Sequence, residues 1–530
     1  MGEWSACRSY ALFFHSFTSF YRSFCRSFYL NRGNASMKRL IWATFFLLII
    51  SCNVNKKVER QDDAATEKIP VIQANNRDYF PVLHDLLDNA QESIKVMVFQ
   101  ARYYLAFPGS STNVAFLDLV QAVERGVDVT LVLDSSGWNK ETSELTRLVG
   151  ELLKEKGVKV FYDDPNKTTH DKVVLVDGRY LMLGSANWNN WAFNKNNEAN
   201  ILIEDQALYQ IYLEKFNGIL ANSSPEYPFD APEMHPDQAD KERIDLITIA
   251  GTVAYTRPGK RNKTMDVVLT DSTEINVHRD ITQSMKFIEK DCFERLLGEK
   301  VRIRTTLKRF RDDLSLTATD VFGPNMKARF TQAALSPEEE EKLNLSLDYE
   351  KTRLYADRIV PVNNDEYFEP VHDLIENAKQ RVWIAMMDSR IYDKKPYYAR
   401  KTDRNDPPSL TNSLCDDLVA ALDRGVDVIF VYDKFTSPLN SEKKHFLKPL
   451  LKAGAKLYQD PEEYTTHSKM LVIDDEISVV GSTNWSYAAV EENNESTVYI
   501  VSKEINAAYA DYVQRVTKNC SRITNPSHFE

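Results

Sequence analysis

The sequence predicts an α/β protein: two pseudo-symmetric α/β sandwich domains with a small β-barrel inserted between them. Three observations carry this expectation. The chain repeats itself, each copy alternates helical periodicity with short β-branched runs, and the segment between the copies shares neither the repeat nor its patterning. The predicted boundaries are an upstream region at 1–68, a first domain at 69–222, the insert at 240–334 and a second domain at 352–522.

Three segment pairs show the repeat. YFPVLHDLLDNAQESIKVMVF from Tyr79 returns as YFEPVHDLIENAKQRVWIAMM from Tyr367. LVQAVERGVDVTLVLD, ending at Asp134, returns as LVAALDRGVDVIFVYD, ending at Asp433. TTHDKVVLVDGRYLMLGSANW from Thr168 returns as TTHSKMLVIDDEISVVGSTNW from Thr465. Within the first copy the periodicity places a helix near Tyr79, a strand at 94–99, a helix at 114–125 and a strand at 127–133. The runs 173–176 and 471–473 are continuously apolar, as expected of central strands covered on both faces.

The insert follows a Pro- and acid-rich linker at 223–240 and is closed by the acidic stretch 335–351. Strand-like runs at 246–255, 265–269 and 301–306, with a helical stretch at 284–297, resemble in their order an OB-fold, a small barrel often used for oligonucleotides. Residues 240–330 carry 18 Lys and Arg against 14 Asp and Glu, an excess of four positive charges. A nucleic-acid surface and a structural spacer both fit that balance.

The whole chain has 530 residues, is 43% hydrophobic and carries a formal net charge of −11. That apolar share excludes a disordered protein, and the charge excludes a surface that coats nucleic acid non-specifically. From Met37 the chain reads MKRLIWATFFLLIISCN, with a basic start, an apolar core and Ser51 before Cys52. This resembles a bacterial lipoprotein signal, which implies lipidation at Cys52, a true start after residues 1–36, and a membrane-anchored protein of the bacterial cell envelope. An ordinary N-terminal anchor or signal peptide, and a transit peptide, are the alternatives. The polar stretch after Cys52 reads as a tether. Cys292, Cys415 and Cys520 show no paired spacing; the first two sit in helical patterns and are expected to be buried thiols.

The chemistry lies in two sets of residues with identical internal spacing. The first is His170, Lys172, Asp177, Gly184, Ser185, Asn187 and Glu198; the second is His467, Lys469, Asp474, Gly481, Ser482, Asn484 and Glu495. On an extended strand residues two apart share a face, so each His and Lys project together. Two such strands brought together surround one phosphate with two imidazoles and two ammoniums. One His can then attack phosphorus while the other protonates the leaving oxygen. The lysines, Asn187 and Asn484 can hold the non-bridging oxygens. No metal or cofactor is required by this set.

This HxKxxxxD, GSxN and distal Glu pattern resembles the phospholipase D superfamily over both repeats. The resemblance implies that His170 is the nucleophile and His467 the acid. It further implies that Glu198 and Glu495 hydrogen-bond a catalytic imidazole. Asp177 and Asp474 are expected to stabilise strand ends, and Ser185 and Ser482 to hydrogen-bond in the pocket floor. Trp188, Trp191 and Trp485 are candidates for the pocket rim, with at least one expected to be buried. The Tyr- and Arg-bearing loop 390–412 has no full counterpart in the first copy and is a candidate for gripping anionic groups. The expected substrate is a phosphodiester, a phospholipid head group first and nucleic acid as the alternative. The expected assembly is a monomer, an intrachain pseudo-dimer with one shared site.

Overall fold

The computed structural model describes residues 68–529 apart from 105–108, 259–264, 278–295, 311–312, 320–351, 393–408 and 435–438. The lipoprotein-like signal, Cys52, Cys292 and most of the predicted helix at 284–297 therefore lie outside the described residues. Among the described residues no helix is long and apolar enough to cross a membrane.

Each repeat folds around an eight-stranded mixed sheet. The first runs, from edge to edge, Arg353–Ala356, Ile69–Gln73, Asn200–Glu204, Tyr180–Gly184, Lys172–Val176, Ser93–Val98, Asp128–Leu133 and Lys159–Tyr162. The second runs Arg358–Pro361, Thr497–Val501, Ile477–Gly481, Lys469–Ile473, Arg381–Met386, Asp427–Tyr432, Lys456–Gln459 and Ser521–Ile523. Lys172–Val176 and Lys469–Ile473 are buried along their whole length, which is why their sequences are apolar without alternation. Each sits fourth or fifth in its sheet, so the residues just before it emerge at the centre of the strand ends.

The inner faces of the two sheets share one hydrophobic core. Met97, Val173 and Leu175 of the first repeat join Ala385, Met470 and Val472 of the second, together with Tyr212 and Tyr509 of the helices Gln206–Leu220 and Lys503–Lys518. Burying this much apolar side chain between the repeats makes them obligate partners. Strand Arg353–Ala356 lies inside the range expected for the second domain, yet it pairs with Ile69–Gln73 and completes the first sheet. The boundary at 352 is thus corrected: the chain crosses between sheets at Asp357, since Arg358–Pro361 pairs in the second.

Strand ends are held by the motif aspartates. Asp177, at φ 51°, takes the backbone N–H groups of Gln91, Glu92 and Ser93 at 2.8, 2.8 and 2.9 Å. Asp474, at φ 45°, does the same for Lys379, Gln380 and Arg381. Both anchor the turn into the neighbouring antiparallel strand and neither lines the pocket described below. Asp177→Ala is expected to lower stability by about 1–3 kcal/mol while leaving kcat unchanged, as thermal melts and steady-state rates will show.

The insert is a closed five-stranded barrel of Leu246–Pro258, Met265–Leu269, Glu274–Val277, Lys300–Phe310 and Asp313–Ala318. Numbered along the chain its strands close in the order 1-2-3-5-4, with the third and fifth parallel. That is the OB topology the sequence predicts. Three predicted strands are present, two of them longer than expected. Glu274–Val277 and Asp313–Ala318 are short and half polar, so they left no apolar run to detect. Among the described residues several of the barrel's cations are paired: Arg304 binds Glu144 at 2.5 and 2.9 Å, Lys308 meets Glu141, and Arg309 meets Asp240 and Asp245. Glu141 and Glu144 belong to helix Lys140–Lys154 of the first repeat, so part of the insert's positive excess docks the barrel there.

Candidate active site

The loops before Lys172 and Lys469 meet where the two sheets abut, and each is stitched to the other repeat. The N–H of His170 donates to the carbonyl of Asn494 at 2.9 Å, and the N–H of His467 donates to the carbonyl of Asn197 at the same distance. Asn494 Nδ2 reaches Thr169 Oγ1 at 3.1 Å, and Asn197 Nδ2 reaches Thr466 Oγ1 at 3.3 Å. Asn197 and Asn494 were not among the expected site residues, although the triplet Asn-Asn-Glu stands in both repeats.

The glutamates act crosswise. His170 Nδ1 donates to Glu495 of the second repeat at 2.9 Å, and His467 Nδ1 donates to Glu198 of the first at 2.9 Å. Each carboxylate is fully buried and also receives its own repeat's serine, Ser185 to Glu198 and Ser482 to Glu495, both at 2.5 Å. Asn196 and Asn493 donate to the remaining carboxylate oxygens at 3.0 and 3.1 Å. Gly184 and Gly481 let the neighbouring strand pass: a Cβ on either would collide with the backbone of Ala199–Asn200 or Ser496–Thr497.

With Nδ1–H given to a carboxylate, each imidazole presents Nε2 to a shared pocket of roughly 1040 Å³. His170, His467, Asn187 and Asn484 all line it. The Oδ1 atoms of Asn187 and Asn484 are buried and have no hydrogen-bond partner. The lysines lie one layer deeper. Lys172 Nζ donates to His170 O and Lys469 Nζ to His467 O, both at 2.5 Å. Phe99 covers Lys172 at 5.0 Å and Met387 Sδ stands 3.6 Å from Lys469.

Burial dominates the electrostatics. It depresses His170 to about 4, outweighing the pull of Glu495, and lowers His467 against the pull of Glu198. Burial likewise brings Lys172 down to about 7 and Lys469 to about 8, with Glu495 and Glu198, respectively, pulling upward. Glu198 is held below the ordinary carboxylate range because His467, Lys469 and Ser185 together outweigh its desolvation. Neutral imidazoles oriented by carboxylates are suited to nucleophilic attack and proton transfer.

The rim is asymmetric. Trp188 and Trp485 are buried and donate to Tyr79 and Tyr367 at 3.1 and 2.8 Å, whereas Trp191 reaches the rim. Trp138, absent from the sequence expectations because the two repeats differ in sequence there, is 68% exposed and stacks on Phe99 at 6.2 Å. Phe99 in turn touches His170 at 4.8 Å. Of the loop 390–412 the stretch 393–408 lies outside the described residues; Arg390 lines the pocket and pairs with Asp388 at 2.8 Å. His372, Asp373 and Glu376 form a potential cation cluster on helix Phe368–Glu376, away from the pocket, and His372 already binds Asp417 at 2.7 Å. Cys415 is a buried free thiol and Cys520 a half-buried one.

Two α/β repeats that trade carboxylates across a paired HxK site define a protein of the phospholipase D superfamily. The chain belongs to it: the family described as cardiolipin synthase, PLD-like domain, matches residues 83–220 and 371–517. A phospholipase D of Rickettsia typhi is 30% identical over 141 residues, 27% of this chain and 62% of that protein. The human mitochondrial cardiolipin hydrolase is 32% identical over 111 residues, 21% of this chain and 42% of that protein. The match thus spans less than two thirds of either relative. Among solved structures, phosphatidylserine synthase of Haemophilus influenzae Rd KW20 is 10% identical with a TM-score of 0.49, over 87% of this chain and 89% of that one.

Proposed function

We propose that this protein is a metal-independent phosphodiesterase that works through a phosphohistidine on His170 and hydrolyses phospholipid head groups. The observation that carries the reading is the crosswise pair of His–Glu dyads facing one pocket. His170 Nε2 attacks phosphorus, the P–O bond to the leaving group breaks, and His467 delivers a proton to that oxygen. Water then attacks the phosphohistidine, with His467 taking the proton back and Nε2 of His170 released. An anionic diester in the pocket raises His467 toward protonation, countering the burial that lowers it. Asn187 and Asn484, through their amide groups, and the two lysines hold the non-bridging oxygens.

A phospholipid substrate is supported by the names of the two relatives and by Trp138 and Trp191 at the mouth. Exposed indoles beside a pocket suit the interface of a lipid surface. An anchor at Cys52 would concentrate the site on such a surface. The OB topology of the insert favours a second reading, a nuclease. Against it, Arg304, Lys308 and Arg309 are engaged by carboxylates.

Residues 53–530 assayed in EDTA on phosphatidylcholine vesicles, cardiolipin vesicles and single-stranded DNA test the proposal. Head-group release undiminished by EDTA is expected. Loss of activity in EDTA with recovery in magnesium refutes the metal-independent mechanism, and cleavage of DNA alone replaces the substrate.

A further inference from the structure

Behind each catalytic histidine lie two buried aspartates that the chemistry above does not use. In the first repeat, Asp134 follows strand Asp128–Leu133 and Asp163 follows strand Lys159–Tyr162, with 1% and 4% of their surfaces exposed. Their carboxylates converge on one donor: the N–H of Thr169, the residue before His170, lies 3.0 Å from Asp134 Oδ1 and 3.1 Å from Asp163 Oδ2. The remaining oxygens take hydroxyls and amides of the same turn. Ser136 Oγ donates to Asp134 Oδ2 at 2.6 Å, and Ser135 donates to Asp163 Oδ1 from its N–H at 2.7 Å and its Oγ at 3.0 Å. Among the described residues no cation pairs with either carboxylate.

One N–H cannot neutralise two anions buried around it. Two carboxylates so placed retain a single proton between them, because ionising both sets like charges against each other in a medium that screens poorly. The arrangement recurs in the second repeat, where Asp460 takes the N–H of Thr466, the residue before His467, at 2.6 Å, with Asp433 at the position matching Asp134. There the buried Lys443 ammonium donates to the backbone carbonyl of Asp433 at 2.5 Å, whereas the equivalent position of the first repeat is Thr142.

We infer that Asp134 and Asp163 are positioning residues for the reaction: they share one proton, and the loop that delivers His170 hangs from them through Thr169 N–H. This inference rests on the catalytic reading of His170. The proton keeps the pair from repelling, so the loop stays seated; removing it drives the carboxylates apart and frees Thr169. Burial and mutual repulsion hold Asp134 well above the ordinary carboxylate range, and burial brings Asp163 up to about 6. A native pKa above the unfolded one gives stability that is complete below about pH 4 and lost as pH rises through the native value. Among the described residues the groups that hydrogen-bond the two carboxylates are Ser135, Ser136 and Thr169, none of which titrates in that range.

Asp134→Asn separates this from a merely structural role. The amide oxygen still accepts from Thr169 while the second charge is gone. The wild-type Tm should fall between about pH 5 and pH 8, and the variant should lose at least about half of that fall. Its kcat on bis(p-nitrophenyl) phosphate at about pH 5.5 should stay within about three-fold of wild type, with the alkaline limb of the kcat profile moved upward. Asp163→Ala, which removes the acceptor, should lower kcat about ten-fold or more with little change in KM. Should Asp134→Asn not fold, Ser136→Ala serves instead: without its hydroxyl donor the ionised pair is less stable and holds its proton to higher pH, so the fall in Tm should be larger and extend to higher pH than in wild type. A Tm–pH curve parallel to wild type in these variants, or an undiminished kcat in Asp163→Ala, overturns the inference. An enzyme with no phosphodiesterase activity at all leaves the Tm–pH measurement to decide on the shared proton, and refutes the catalytic reading instead.

Discussion

Alanine at His170 or at His467 is expected to lower kcat by about four orders of magnitude or more, and the double variant should be scarcely slower than either single. The two imidazoles face one pocket, and the proposed mechanism divides nucleophile and acid between them, so on that mechanism neither repeat retains a working site once the other is disabled. Two independent sites would behave otherwise, each single variant keeping about half the wild-type rate, and that result would sink the shared site. The singles should differ in one respect. With a substrate whose leaving group departs unprotonated, His467→Ala should accumulate a phosphohistidine on the peptide bearing His170, detectable by mass spectrometry, and His170→Ala should not.

The second large effect is expected from the glutamates, in an order that only the crosswise geometry predicts. Glu495→Gln removes the carboxylate that orients His170, so it should slow formation of the adduct by about a hundred-fold, and no adduct should build up. Glu198→Gln removes the partner of His467, so protonation of the leaving group and activation of water both suffer. With a good leaving group its adduct should form and persist on His170. Rapid-quench measurement of the adduct in both variants checks this. If the glutamate of each repeat served its own histidine, the two phenotypes would be exchanged.

The contrast between what was legible and what was not follows from how each feature is encoded. His170, Lys172, Asn187 and Glu198 stood out because the second repeat keeps every interval. The central strands stood out because burial on both faces demands unbroken apolar runs. Pairing across the repeats left no such trace. Glu198 lies as far from His170 in sequence as Glu495 does from His467, and nothing local tells which histidine it meets in space. Trp138 sits where the repeats diverge, so no comparison marked it. Asp134 and Asp433 were visible only as the ends of matching segments, since a buried acid held by backbone N–H groups resembles in sequence any polar residue closing a strand. Arg353–Ala356 was missed because four residues after an acidic stretch carry too little periodicity to signal a strand.

The bond between His170 and Glu495 joins residues 325 positions apart. A ribosome must therefore have added those 325 residues beyond His170 before it acquires its carboxylate, and local folding of the first repeat cannot supply it. The nascent chain carries His170 and Lys172 of its first motif without that carboxylate, and only docking of the second repeat supplies it. A chain that stops short of the second repeat's Asn-Asn-Glu segment leaves His170 without the carboxylate that orients it, so the first motif depends on a residue translated long after it.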